Sequence, residues 1–108
     1  MAFCIEISDT VKFTVKGSYK AADGVDKPFT FDLIATRLSA DAYTEAISGA
    51  TLGEFLAGVI TGWSGLKHAD GSAVDFSADA LQQLLKLPGM ATLVFKTYSA
   101  EIAVREKN

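Results

Sequence analysis

Between Thr10 and Tyr19 apolar and polar residues take turns, with Val11, Phe13 and Val15 alternating with Lys12, Thr14 and Lys16. A period of two puts successive side chains on opposite faces, so the run predicts a half-buried strand. Phe29, Phe31 and Leu33 alternate with Thr30 and Asp32 in the same way and predict a second strand to about Leu38. Ala21 to Pro28 between them is rich in turn formers, so the two runs should close an antiparallel hairpin of the longer-loop type. A shorter apolar run at Phe3–Ile7 offers a third strand. The hairpin has one apolar face, and another layer must cover it.

Beyond Leu38 the spacing lengthens to that of helices. Leu38-Ser39-Ala40-Asp41-Ala42-Tyr43 and Phe76-Ser77-Ala78-Asp79-Ala80-Leu81 share the core Ser-Ala-Asp-Ala. Each serine is placed to accept a bond from an orphan amide of a first helical turn, and each aspartate faces the positive end of the helix dipole. The pairs Leu38/Tyr43 and Phe76/Leu81 have the spacing of a hydrophobic staple. The flanking segments do not align, so one capping recipe is used twice rather than a repeat duplicated. A short helix is expected from Thr51, with Leu52, Phe55, Leu56, Val59 and Ile60 on one side, broken by Gly62 and Gly65. Leu81, Leu84 and Leu85 mark the next helix, ended by Pro88-Gly89. A last helix from about Gly89 carries the stripe Met90, Leu93, Val94, Thr97, Tyr98, Glu101, Ile102 and Arg105, its end fraying toward Asn108. The expected class is α+β, as a single domain over 1–108: a β-hairpin region at 1–38 against three or four helices at 39–108.

Composition narrows what such a domain does. The 108 residues are 49% hydrophobic and 21% charged, which suits a globular chain with a core of its own. The net charge is −3 and no basic block stands out, so a nucleic-acid partner lacks its electrostatic footprint. Cys4 is the only cysteine, which excludes an internal disulfide or a CxxC pair and suits a reducing cytosol. The N-terminus lacks the pattern of a signal peptide. The longest apolar run, Phe55 to Ile60, is far short of the ~20 residues of a membrane helix. A soluble, cytoplasmic protein is expected.

The stretch GWSGLKHADGSAVDFS, Gly62 to Ser77, holds the only Trp and the only His. Gly62-Trp63-Ser64-Gly65 resembles a nucleophile elbow at a glance, but Leu66 stands where its last glycine belongs and a helix is expected before it. Ser64 and His68 have no acid to complete a triad. One Cys and one His do not assemble a zinc site, and the spacing from Asp70 to Asp75 is not that of a calcium loop. Asp70-Gly71 reads better as a tight turn, after which Val74 and Phe76 re-enter the core. Trp63 either covers the junction of helix and hairpin or anchors a partner, and burial alone accounts for the first. Phosphate loops and base-stacking aromatics set among basic residues are missing. No catalytic residue, cofactor or metal is expected.

The order of features has a likeness. A hairpin carrying TVKFTVKG and PFTFDL leads to EFLAGVITGW, an Asp-Gly turn, V-x-F-S, a leucine-rich helix, Pro-Gly and a closing helix. This resembles the tail assembly chaperone family of long-tailed bacteriophages and prophages, most tellingly over Phe55 to Gly89 and across most of the chain. The resemblance implies a non-enzymatic protein that binds the tape measure protein, keeps it soluble and helps recruit tail tube subunits. It implies action in the host bacterial cytoplasm and absence from the mature virion; a structural tail or head–tail component retained in the particle is the alternative. Trp63, Gly65, Asp70, Gly71 and Phe76 are expected to determine the fold. Phe95 and Tyr98 on the closing helix, or an unpaired edge of the hairpin, are the expected partner surface. An open edge would also allow copies to pair into a homo-oligomer.

Overall fold

The structure, a computed structural model, describes residues 7–104. Strands β1 (Thr10–Lys20) and β2 (Asp26–Thr36) form the hairpin, in continuous antiparallel register from Thr10↔Thr36 to Lys20↔Asp26. Phe13 and Val15 on β1, with Phe31, Leu33 and Ala35 on β2, are buried on one face, while Lys12, Thr14 and Lys16 are exposed on the other. On that outer face the Thr14 hydroxyl donates to Asp32 Oδ1 at 2.7 Å, and Lys12 Nζ lies 3.8 Å from Asp32 Oδ2. The expected strand at Phe3–Ile7 lies outside the described residues, apart from Ile7.

Four helices follow: α1 (Ala40–Ser48), α2 (Leu52–Val59), α3 (Ala78–Leu85) and α4 (Met90–Ile102). Ser39 and Ser77 cap α1 and α3 as expected, accepting from the amides of Ala42 at 3.1 Å and Ala80 at 3.0 Å. Helix α2 opens with a capping box. Thr51 Oγ1 accepts from the Glu54 amide at 3.2 Å, and Glu54 Oε1 accepts from the Thr51 amide at 3.3 Å. Between α3 and α4 the chain reverses in a type II turn: Met90 N donates to Leu87 O at 3.0 Å, with Pro88 second and Gly89 third at φ +82°.

One expectation fails. The division into strands up to 38 and helices after it misses β3 (Ile60–Ser64), which pairs antiparallel with β2 and completes a sheet in the order β1-β2-β3. Helix α2 therefore ends at Val59, before either glycine, and Ile60 is both its C-cap and the first strand residue. The free edge of β2 offers a row of backbone donors and acceptors that a further helical turn could not satisfy. Ile60, Thr61 and Trp63 are good strand formers, which is the local signal that was available. Ile34 faces Gly62 but Ala35 faces Ile60, so Thr61 is an extra residue that bulges β3.

The helices cover the apolar face. Helix α4 lies on β1, and α2 sits against α4, α3 and α1. Tyr98 of α4 is fully buried; its hydroxyl donates to Thr36 O at 2.7 Å, and its ring meets Phe13 and Phe55 with centroids 5.9 and 5.8 Å away. Phe95 is half-buried, edge-on to Phe55 at 5.8 Å and stacked on Tyr43 at 6.2 Å. The Tyr43 hydroxyl and Ser99 Oγ share a hydrogen bond of 2.7 Å, which ties α1 to α4. Arg37, just past β2, donates from Nη1 to Ile102 O at 3.0 Å, giving a terminal carbonyl of α4 a cationic partner.

Burial pushes the Tyr98 hydroxyl above its ordinary ionisation value of 10.0. The fold thus favours the protonated form. That contribution is whole below the unfolded value and is lost as pH rises through the folded one. Unfolding free energy should fall as pH rises above about 10 in urea titrations, and fall less in Tyr98→Phe. Tyr98→Phe should itself cost about 1–2 kcal/mol at neutral pH, because Thr36 O loses a donor. Equal alkaline losses in both proteins would remove Tyr98 as their origin.

Candidate functional site

The segment that looked chemical is a small hairpin. Lys67 and Ala73 bridge, Val74 N donates to Leu66 O at 2.9 Å, and His68 N donates to Ser72 O at 2.8 Å. Gly71 N closes the loop onto His68 O at 2.9 Å, with Gly71 in the left-handed region at φ +89°. Asp70 Oδ1 accepts from the Ser72 amide at 2.8 Å and the Ser72 hydroxyl at 2.6 Å. Those two bonds, the hydroxyl's first, hold the Asp70 carboxyl below its ordinary value. The support this lends the turn is whole at neutral pH and lost as pH falls through the folded value.

The β1–β2 loop is built on the same plan. Gly24 N donates to Ala21 O at 2.9 Å, Ala21 N donates to Val25 O at 3.0 Å, and Gly24 has φ +83°. Asp23 Oδ1 accepts from Val25 N at 3.0 Å, as Asp70 does from Ser72. Ala22-Asp23-Gly24 and Ala69-Asp70-Gly71 are thus one loop used twice, the aspartate holding the amide two residues on and the glycine supplying positive φ. The repeated Ala-Asp-Gly was the signal for it.

Trp63 pins this hairpin to the sheet. It pairs with Leu33, is half-buried, and donates from Nε1 to Val74 O at 2.8 Å. Phe76 meets its ring edge-on, with centroids 4.9 Å apart. Phe76 remains 37% exposed, so it packs on Trp63 at the surface instead of re-entering the core as expected, and Val74 is half-buried. Gly65, at φ +88°, lets the chain turn away against Phe31. Ser64 ends a strand where a helix was expected to precede the segment, and a loop rather than a helix follows it. Ser64 and His68 are both exposed. Among the described residues no group of three or more His, Cys, Asp or Glu could hold a metal ion, and no helix is long and apolar enough to cross a membrane.

The expected partner surface needs correcting. Tyr98 is wholly buried, and Phe95 is half-buried with its ring against Tyr43 and Phe55, so the folded chain presents at most part of the Phe95 ring. A helical period tells which residues share a face but not which element covers it. An accessible apolar surface lies instead at the hairpin tip. There a groove of about 680 Å³ is lined by Phe29 and Phe31 of the sheet, Leu66 of the loop, and Leu84, Leu87 and Leu93 of the helical side. Tyr19 and Leu87, 58% and 52% exposed, also line it. Gly17 helps shape it: a Cβ there would lie 2.6 Å from Phe29 Cζ, so the bare backbone lets that ring lie across β1. No family model, curated protein or solved structure matches the chain.

Because the two loops share a geometry, Gly24→Ala and Gly71→Ala should lose similar stability, about 1–2 kcal/mol each, by urea unfolding. Gly53 sits in α2 with ordinary φ and open space around it, so Gly53→Ala should instead be neutral or stabilising by up to about 1 kcal/mol. The same effect at all three sites would mean that left-handed geometry is not what the loop glycines supply.

Proposed function

We propose that this protein is a non-enzymatic tail assembly chaperone of a long-tailed bacteriophage or prophage. It binds the tape measure protein, keeps it soluble, helps recruit tail tube subunits in the host cytoplasm, and leaves before the virion is complete. The motif order from Phe55 to Gly89 supports the family reading. The observation that carries a binding role is the groove, where large apolar side chains stay open to solvent beside a well-packed core. A contiguous apolar surface of this kind marks a binding site more often than an accident of packing. Asp70 is committed to its turn and Trp63 to Val74.

The edge of β1 is a poorer surface for assembly between copies. Lys12, Lys16 and Lys20 repeat along its exposed face, so pairing with β1 of a second copy sets lysine beside lysine. A homo-oligomer, if the chaperone forms one on its long partner, is better made through other surfaces.

Co-expression tests the reading. A tape measure fragment that precipitates alone should stay soluble and co-purify with this protein, and Leu87→Asp should abolish both effects while leaving the fold intact. A fragment that precipitates equally in its presence would count against the proposal. So would the protein's recovery in structural amounts from purified virions, which would favour a retained tail component.

A further inference from the structure

The groove exists because the two layers differ in length. Strand β1 has 11 residues and α4 has 13. At about 3.3 Å per strand residue and 1.5 Å per helical residue, these span roughly 36 Å and 20 Å. Tyr98 fixes α4 to the base of the hairpin through Thr36, and Leu93 reaches β1 at Gly17. The sheet face beyond that point, Tyr19 with Lys27 and the outer side of Phe29, has no helix on it. An apolar sheet face takes a helix as its natural cover, and the missing length is a few helical turns.

Charge at the site is one-sided. Lys67 is the one charged residue that lines the groove among the described residues. Lys27, directly across from Tyr19, adds a second cation on the same face of the hairpin tip. This local sign is opposite to the chain's net charge of −3. We propose that the groove takes an amphipathic helix of a partner protein whose apolar stripe is flanked by carboxylates. The stripe continues the helical layer over Phe29 and Phe31, and a carboxylate beside it meets Lys67. This rests on the groove being the binding surface of the function proposed above, and it adds the chemistry of the occupant. Lys67 selects by charge, while the leucines supply most of the affinity.

The probes are two synthetic helical peptides of about four turns, with the same leucine stripe flanked by glutamates in one and lysines in the other. Titrated against the full chain by calorimetry, the glutamate peptide should bind more tightly. Lys67→Glu should weaken it about fivefold and bring the two peptides level or reverse their order. Leu87→Asp and Tyr19→Asp, both at exposed positions, should lose both peptides with the circular dichroism spectrum unchanged.

If Lys67→Glu leaves the preference as it was, while Leu87→Asp still abolishes binding, charge recognition is wrong and the groove stands. If Leu87→Asp and Tyr19→Asp bind as the parent does, or neither peptide binds the parent, the groove itself is not the docking site. Self-association of the free chain in sedimentation, lost in Leu87→Asp, would show that a second copy fills the groove and would overturn the proposal.

Discussion

Tyr98 is the residue on which the two layers depend. Its ring fills the space between Phe13 of the sheet and Phe55 of α2, and its hydroxyl reaches the backbone of β2 at Thr36. A buried hydroxyl needs a partner, and the carbonyl at the end of β2 is where this one finds it. That single bond sets how far along the sheet α4 can lie. Arg37 reinforces the placement from the next position by reaching Ile102 at the end of the same helix. Phe95 and Tyr43 then join α1 and α2 to α4 in one aromatic cluster.

The placement of α4 has a cost in coverage, an apolar groove left open at the tip of the hairpin. A helix held at the base of a longer hairpin leaves the tip of the sheet bare. The Pro88-Gly89 turn brings α3 alongside without filling the gap, so Leu84 and Leu87 become a wall of the groove. Apolar surface left open by a mismatch of lengths differs from a patch of scattered surface leucines. It is concave, backed by the sheet, and Lys67 is the one charged residue that lines it among the described residues, features that the proposed helical partner would read.

The segment from Gly62 to Ser77 plays the opposite part. Trp63, Asp70, Ser72 and Ser77 are absorbed in pinning a hairpin to the sheet, closing its loop and capping a helix, each through a hydrogen bond. The second Ala-Asp-Gly loop, at the far end of the β1–β2 hairpin, uses the same atoms for the same purpose. Two hairpins closed alike make it difficult to assign Asp70 a special role that Asp23 lacks.

Features that depend on a few neighbouring residues could be read directly from the chain. The alternation of β1 and β2, the serine caps of α1 and α3, and the Asp-Gly turn all follow from backbone geometry and short-range hydrogen bonds, which nearby side chains decide. The capping box at Thr51 and the doubled Ala-Asp-Gly were equally local and were open to the same reading. Strand β3 was only half legible: Ile60, Thr61 and Trp63 favour a strand, but Ile60 also closes the apolar helical run from Leu52, and the bare edge of β2 decides between the two. The fate of Phe95 and Tyr98 was hidden for a related reason: periodicity defines a face but not its cover. The groove was hidden most deeply, since no residue in it is unusual. It arises from where Tyr98 stops α4 against a longer strand, a relation between elements distant in sequence that exists only once they have packed.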